Sequence, residues 1–348
     1  MHSIPFHPFN AMKTKSLNEF LSSLELPNFL VDSFTARSVP CELCKSDDLF
    51  RLRDVSDAGG GVLVEMPIVA CNKCGYVQQM LKFDESFYDM FYSKLYRFQQ
   101  AKSAKNLSLP IVNETGKKLD YAVANARKRA KNLFDYIAKL FPQFFRKETS
   151  VLDIGCGSGG FLDYFRSKGF EVYGNDPDES SIELARTLDL NVDCISAEDM
   201  AVDRKFDLII IIGSLEHCKD PHKTLANCRE CLNNNGLIVV EGRYFPISMS
   251  TSYLNVNHHR FLRSRQLQLL LTMNGFSPLI STVYPVCGLD VGREGSGWCF
   301  AKRSEDYPKA SPQELVHLLS LYESPLELKK KLDEHDQSLL KDTSINLI

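Results

Sequence analysis

The sequence of 348 residues has little net charge and no long hydrophobic run. The formal charge is −3 and no Lys/Arg-rich segment stands out, which argues against extended nucleic-acid binding, because such binding needs a dense basic surface. The longest apolar run, at 208–212, is far too short to cross a bilayer. Residues 1–20 lack the unbroken apolar stretch of a signal peptide. We therefore expect a cytoplasmic protein without a membrane partner, in which the eleven cysteines are reduced or bind metal.

The chain has no internal repeat or low-complexity segment, but its pattern changes along its length. We predict an N-terminal extension (1–38), a cysteine-bearing unit (39–80), a helical linker or lid (81–145), an α/β domain (146–303) and a charged, helical C-terminal segment (304–348).

Short apolar strands alternate with helices from residue 150 onward. Such alternation is typical of parallel β-α-β units, whose sheet is covered by helices on both faces. Five strands are predicted at 150–155, 170–175, 192–196, 206–212 and 236–242, and two more near 278–285 and 297–303. The fold class predicted is therefore α/β, a doubly wound, seven-stranded Rossmann-like core with helical flanks.

Two helices outside the regular alternation are also predicted. Residues 121–141 form an amphipathic pattern with Leu133, Ile137 and Leu140 on the buried side. The helix near 264–274 is predicted to be capped by Ser264 and to stop at Gly275. Three cations of the first helix are expected to point to solvent: Arg127, Lys128 and Lys131.

A glycine-rich turn follows the first strand of this domain. Gly155, Gly157 and Gly160 match G-x-G-x-x-G between a strand and a helix, a pattern that by itself fits several nucleotide ligands. Asp153 lies directly before the turn, where its carboxylate would repel a pyrophosphate but suits the cationic amino group and sulfonium of S-adenosylmethionine. Asp176 ends the next strand and can accept hydrogen bonds from both ribose hydroxyls. These acids favour S-adenosylmethionine over a dinucleotide.

The stretch VLDIGCGSG at 151–159 resembles the first motif of the class I S-adenosylmethionine-dependent methyltransferases, an apolar pair and an acid followed by G-x-G-x-G. The resemblance extends over about 150–302. It implies that Ala197 and Glu198 flank the adenine, and that Gly213, Ser214, Glu216 and His217 line the mouth of the site. The residues predicted to bind S-adenosylmethionine are Asp153, Gly155, Gly157, Gly159, Asp176, Ala197, Glu198 and Gly213.

Two cysteine pairs in the unit at 39–80 form C-x2-C…C-x2-C, with ligands Cys41, Cys44, Cys71 and Cys74. This spacing predicts a tetrahedral zinc site, and Gly75 permits the tight turn after the second pair. Because four sulfurs leave no open coordination position, we assign the zinc a structural role. A third pair, Cys228 and Cys231, lies in a helical pattern without a partner pair and is expected to be core or surface thiols.

A long insertion after the fifth strand, at 241–267, carries the candidate catalytic residues. Together with the cysteine unit it resembles bacterial methyltransferases that act on nucleotide-linked sugars. The sugar C-methyltransferases carry a Glu-His pair here. His258 matches the histidine, but Asn257 stands in place of the glutamate. Those enzymes also have a large C-terminal domain, whereas only some 45 residues follow the core of this sequence. We predict His258 as the general base, with Tyr253 and Glu216 as alternatives.

Arg260 and Arg263 follow closely after these histidines. They are either partners of an acceptor phosphate or solvated cations, and the solvated state is favoured.

The function predicted is methyl transfer from S-adenosylmethionine to a polar small molecule, such as a sugar or nucleotide-linked sugar. One alternative is an RNA base methyltransferase, because some of these carry a zinc ribbon. A second is a non-catalytic module that binds S-adenosylmethionine as a sensor.

Overall fold

The computed structural model describes residues 36–55, 66–83, 86, 88, 111–112, 118–144, 148–244, 258–288, 296–304 and 325–331. The N-terminal extension up to residue 35, the greater part of 84–117 and most of the C-terminal segment lie outside this description, as do Tyr253 and Asn257. Among the described helices, none is both long enough and apolar enough to span a membrane.

The cysteine unit is an antiparallel sheet that includes a strand from the α/β domain. Its strands β2 (Leu49–Val55), β3 (Met66–Cys71) and β4 (Val77–Gln79) are joined by β13 (Arg260–Phe261), in the order β13-β4-β3-β2. Two short antiparallel pairs form separate two-stranded sheets: β1 (Ala36–Ser38) with β5 (Leu81–Phe83), and β6 (Ile111–Val112) with β7 (Lys118–Leu119). Because β13 lies just after His258, the cysteine unit is built directly onto the insertion.

The central sheet has seven strands, which lie in this order: β10 (Asn191–Asp193), β9 (Glu171–Asn175), β8 (Ser150–Ile154), β11 (Phe206–Ile212), β12 (Leu232–Gly242), β15 (Gly297–Arg303) and β14 (Phe276–Thr282). The first five are parallel and follow the 3-2-1-4-5 order of doubly wound folds, whereas β15 is antiparallel to both neighbours. The α/β prediction is therefore confirmed, with a mixed sheet.

Helices cover both faces of this sheet and bury two hydrophobic clusters. One face carries the helices α1 (Tyr121–Leu140), α2 (Gly160–Ser167) and α3 (Glu179–Arg186). The other face carries α4 (Pro221–Cys231), α5 (Ser264–Met273) and the four cysteines of the cysteine unit. The cysteine unit therefore packs against the sheet instead of forming an independent core. A 3₁₀ turn at Pro142–Phe144 follows α1.

Helix α1 corrects the sequence analysis at two positions. Arg127 is only 7% exposed and pairs with Asp163 of α2, whereas Leu140 is 40% exposed. Arg127 lies four residues after Val123 and three before Ala130, so the helical period places it on the buried stripe. The expectation that it is solvated was wrong because Asp163 supplies a buried partner for the charge.

Helix α5 ends as predicted but begins differently. Arg263 is the N-cap, Ser264 is the first helical residue, and no side chain caps the helix. The Ser264 carbonyl instead accepts a hydrogen bond from Ser281 Oγ at 3.0 Å. Gly275 follows the helix with φ of +82°, a conformation that glycine adopts readily.

Candidate functional site

A cavity of about 530 Å³ opens at the carboxyl ends of the parallel strands. It lies where β8 separates β9 from β11, the switch point at which doubly wound folds bind their ligands. We call it the strand-end cavity. Six residues predicted to contact S-adenosylmethionine line its wall: Gly155, Gly157, Asp176, Ala197, Glu198 and Gly213.

The glycines of the turn serve three different purposes. A Cβ atom at Gly155 would lie 2.4 Å from Ser214 Oγ, so this glycine allows the turn to approach the loop after β11. At Gly157, with φ of +51°, a Cβ would meet no atom within 4 Å, and the backbone is open to the cavity. Gly159 is the N-cap of α2, and a Cβ there would lie 2.3 Å from Leu190 Cδ1. Gly159 therefore serves packing and is not part of the cavity wall.

Asp176 is held rigidly at the end of β9. Its Oδ2 accepts a hydrogen bond from the Gly157 amide at 3.0 Å, and its Oδ1 accepts one from the Asp178 amide at 2.9 Å. Burial raises the pKa of Asp176 to about 6, although both amide hydrogen bonds oppose this shift. The carboxylate is thus positioned by backbone donors and titrates close to neutral pH.

Asp153 lies behind the cavity wall and is not among the residues that line it. Burial, and then the charge of Asp176, raise the pKa of Asp153 well above its usual value, while Arg129 opposes this. Arg129 Nη2 in turn donates to Glu241 Oε2 at 3.1 Å. The sequence analysis missed Arg129 and Glu241, because their distance in sequence gives no sign that they meet beside Asp153.

The loops on the other side of the cavity are fixed by side chains. Glu198 Oε1 accepts a hydrogen bond from the Asp220 amide at 3.0 Å. Asn227 Nδ2 donates to the carbonyls of Ala197 at 3.0 Å and Glu198 at 2.9 Å. Cys194 and Ile195 also line this wall, and they were not singled out from the sequence.

Three of the candidate catalytic and mouth residues come together: Glu216, His217 and His258 offer side-chain atoms within 4.8 Å of one another. The imidazole rings of His217 and His258 have centroids 4.6 Å apart, and His217 lines the strand-end cavity. Glu216 is fully buried and lies 3.4 Å from Arg243 Nε. Because Glu216 is fully buried beside the Arg243 guanidinium, its position suits a supporting role more than direct proton transfer.

The four predicted zinc ligands converge in what we call the cysteine centre. The Sγ atoms of Cys41 and Cys74 are 3.5 Å apart, those of Cys44 and Cys71 are also 3.5 Å apart, and all four lie within 4.8 Å of one another. Zinc–sulfur bonds of about 2.3 Å in a tetrahedron require sulfur separations of roughly 3.8 Å. The arrangement therefore fits a zinc ion.

Both turns of the cysteine centre also have the backbone that such a site needs. Lys45 and Gly75, each directly after the second cysteine of a pair, have φ of 62° and 66°. Backbone amides point at sulfur, from Cys44 to Cys41 Sγ at 3.5 Å and from Lys73 to Cys71 Sγ at 3.4 Å.

A buried ion pair connects the cysteine centre to the insertion. Glu42, between the first two cysteines, accepts hydrogen bonds from Arg260 Nε at 2.7 Å and Nη2 at 3.0 Å. Arg260 Nη1 also donates to the carbonyls of Leu215 at 2.6 Å and Cys218 at 2.7 Å, in the loop after β11. The expectation that Arg260 is solvated was therefore wrong: its side chain is fully buried.

The electrostatics of this pair favour both charged forms. Burial by itself would raise the pKa of Glu42, but Arg260 and then Lys82 hold that pKa well below its usual value. Burial by itself would lower the pKa of Arg260, but the charge and hydrogen bonds of Glu42 outweigh this effect and raise the pKa of the guanidinium.

Arg260→Ala is expected to lower the free energy of unfolding by about 3–5 kcal/mol, because it leaves Glu42 buried without its main partner. Arg263→Ala is the matched control: Arg263 is half-buried and lies over the Tyr244 ring at 4.2 Å, a contact of about 1 kcal/mol or less. Urea denaturation of both variants measures the difference. Equal losses would contradict the role given to the ion pair.

These features place a glycine-rich turn and a fixed carboxylate around a cavity at the switch point of a doubly wound sheet, where such folds bind nucleotide-containing ligands. Residues 125–280 match the family model described as a methyltransferase domain. This segment is therefore an S-adenosylmethionine-dependent methyltransferase domain.

Curated relatives are similar over part of the chain. A ubiquinone biosynthesis O-methyltransferase of Nitrobacter winogradskyi is 34% identical over 94 residues, which cover 25% of this chain and 36% of that protein. One of Coxiella burnetii is 33% identical over 101 residues, 27% of this chain and 43% of that protein. The chain thus spans less than half the length of these relatives.

Solved structures are similar to this chain at low identity. A plantazolicin methyltransferase in complex with SAH is 15% identical, with a TM-score of 0.47, over 63% of this chain and 94% of that one. An S-adenosylmethionine-dependent methyltransferase from Clostridium acetobutylicum is 13% identical, with a TM-score of 0.41, over 51% of this chain and 92% of that one.

Proposed function

We propose that this protein transfers a methyl group from S-adenosylmethionine to a polar small molecule. The observation that carries the proposal is Asp176 beside the open Gly157 turn, at the switch point of the sheet. There the carboxylate would accept the ribose hydroxyls, and Ala197 and Glu198 would flank the adenine. The bound donor supplies a methyl group on a sulfonium, which is activated towards nucleophilic attack.

The residues around His217 and His258 supply the acceptor side of the proposal. Methyl transfer is a one-step displacement: the acceptor atom forms a bond to the methyl carbon as the carbon–sulfur bond breaks. S-adenosylhomocysteine leaves, and a hydroxyl acceptor must also lose its proton. His258, with an imidazole pKa near 6.5 in free solution, would take that proton and pass it to solvent. Glu216 and Arg243 would hold the loop that carries His217.

The finer proposal is that the acceptor is a sugar or a nucleotide-linked sugar, and that the cysteine centre binds one structural zinc. The sulfur separations support the zinc, as does the ordinary chemistry of a buried four-thiol cluster. A closed site of four sulfurs would stabilise the fold and leave the transfer reaction to the strand-end cavity. A turnover screen with S-adenosylmethionine against nucleotide sugars, small metabolites and total RNA tests the acceptor class. Methylation of RNA alone, or of nothing, would favour the alternatives.

Binding of the donor product is expected to depend on pH through Asp176. Because the pKa of Asp176 is about 6, its ionised carboxylate, which accepts the hydrogen bonds, predominates above that pH. At pH 5 only about a tenth of the molecules carry the ionised form. The dissociation constant of S-adenosylhomocysteine, measured by calorimetry, should therefore be about tenfold higher at pH 5 than at pH 7.

Two controls accompany this measurement. Asp176→Asn should weaken binding at pH 7 and remove most of the pH dependence, because the amide does not titrate. NAD should show no comparable binding to the unaltered protein. Tight binding of NAD, or a pH dependence unchanged in Asp176→Asn, would contradict the assignment.

A further inference from the structure

A second cavity, of about 370 Å³, lies between the cysteine unit and the start of helix α4. We call it the lysine cavity. Its wall includes Lys219, which also lines the strand-end cavity, so the two cavities meet at that residue. Its size is within the range of small-molecule sites. The residues that matter for its chemistry are Lys45, Lys82, Lys219, Tyr88, His222 and His259.

The lysine cavity has more positive than negative charge. Its carboxylates are Glu42 and Asp220, and both already have partners. Glu42 is engaged by Arg260 and Lys82, while Asp220 caps helix α4 by accepting hydrogen bonds from the amides of residues 222 and 223. The cavity therefore has four positive groups, three lysines and the Arg260 guanidinium behind Glu42, against the two carboxylates of Glu42 and Asp220. This excess of positive charge attracts an anion.

A second observation points to a ligand with hydrogen-bonding oxygens. His259 is 1% exposed and lines the lysine cavity, yet neither ring nitrogen has a hydrogen-bond partner among the residues that the structure describes. The ring is positioned by an edge-on contact with Tyr88, with centroids 4.6 Å apart. Burial, and then the charges of Arg260 and Lys82, lower its pKa, so the imidazole is neutral and keeps one N–H donor.

We propose that the lysine cavity binds a phosphate group of the acceptor. The inference rests on the proposed function, because it takes the ligand to be the molecule that is methylated. Several separate ammonium groups suit a multi-oxygen phosphate, which offers an acceptor to each of them and to the neutral His259. Because Lys219 lines both cavities, a molecule anchored in the lysine cavity would extend towards His217 in the strand-end cavity. The class of acceptor is thus a phosphorylated or diphosphorylated small molecule.

The test is calorimetric titration of inorganic pyrophosphate into the full-length, zinc-loaded protein saturated with S-adenosylhomocysteine. Lys45→Gln and Lys219→Gln should each raise the dissociation constant of pyrophosphate about threefold to tenfold, since each removes one charge-assisted contact. His259→Phe keeps the packing on Tyr88 and should also weaken binding. Lys73→Gln is the matched control, because Lys73 lies in the second cysteine turn, pairs with Asp48 and is outside the cavity.

The outcomes separate this proposal from the proposed function. Loss of affinity in Lys45→Gln and Lys219→Gln but not in Lys73→Gln supports the phosphate site. Absence of saturable pyrophosphate binding at millimolar concentrations, or equal weakening by Lys73→Gln, overturns it. Binding of malonate as tight as that of pyrophosphate overturns the assignment to phosphate. If S-adenosylhomocysteine binds and pyrophosphate does not, only the present inference fails; if S-adenosylhomocysteine does not bind, the proposed function fails.

Discussion

Replacing Cys41 and Cys44 together by alanine is expected to release one zinc ion per chain and to unfold the cysteine unit. Apparent binding free energies for structural zinc are about 10–16 kcal/mol, as large as the total stability of many domains, about 5–15 kcal/mol. The loss should spread beyond the unit, because its cysteines belong to the same buried cluster as the residues of helices α4 and α5. Elemental analysis of the purified protein, together with thermal unfolding, measures both effects.

A second cysteine pair gives a matched control for this experiment. Cys228 and Cys231 have the same C-x2-C spacing and are equally buried, but they lie on helix α4 and contribute to no cluster of metal ligands among the described residues. Cys228→Ala with Cys231→Ala should leave the zinc content at one per chain, although it also removes core volume. A metal-free unaltered protein, or zinc loss from the Cys228 and Cys231 variant alone, would rule out the cysteine centre as the zinc site.

His258→Ala is expected to lower the turnover number by about 10² to 10⁴, the usual cost of losing a general base. The affinity for S-adenosylhomocysteine should stay nearly unchanged, since His258 is not among the residues that line the strand-end cavity. Steady-state kinetics with the acceptor found by the turnover screen give the turnover number, and calorimetry gives the affinity.

His259→Ala is the comparison for this variant. Since His259 lines the lysine cavity, we expect it to raise the KM of the acceptor more than it lowers the turnover number. A greater loss of turnover in His259→Ala than in His258→Ala would mean that the base was assigned to the wrong histidine. If the turnover number falls less than tenfold in both variants, then another group removes the proton or the acceptor needs no base.

The structure changes how the cysteine unit is related to the site. Its sheet includes β13, whose first residue is Arg260, and the Gln79 amide donates to the His259 carbonyl at 3.0 Å. The His259 amide in turn donates to the Glu216 carbonyl at 2.9 Å. The two histidines of the insertion are therefore held between the cysteine unit and the loop after β11, so that the stability of the unit and the geometry of the site are linked.

Local patterns in the sequence were sufficient to predict the fold and much of the candidate site. The short apolar runs of β8, β11 and β12 are buried strands, as their isoleucine, leucine and valine content predicts. The turn at Gly155 and Gly157, Asp176 at the next strand end, and the two cysteine pairs also lie where their spacing placed them. These features depend on neighbouring residues and on strand order, which the β-α-β alternation restricts strongly.

Only the tertiary structure decided which charged side chains are buried and which acids they pair with. Nothing in the sequence distinguishes three buried arginines from ordinary solvated cations. Each of them nevertheless pairs with an acid from a distant element: Arg127 with Asp163, Arg129 with Glu241, and Arg260 with Glu42. The lysine cavity is likewise assembled from segments separated by more than 200 residues, from Glu42 to His259. A charge is expensive to bury unless a partner is present, and whether the partner is present depends on how distant segments pack, which no local pattern of residues records.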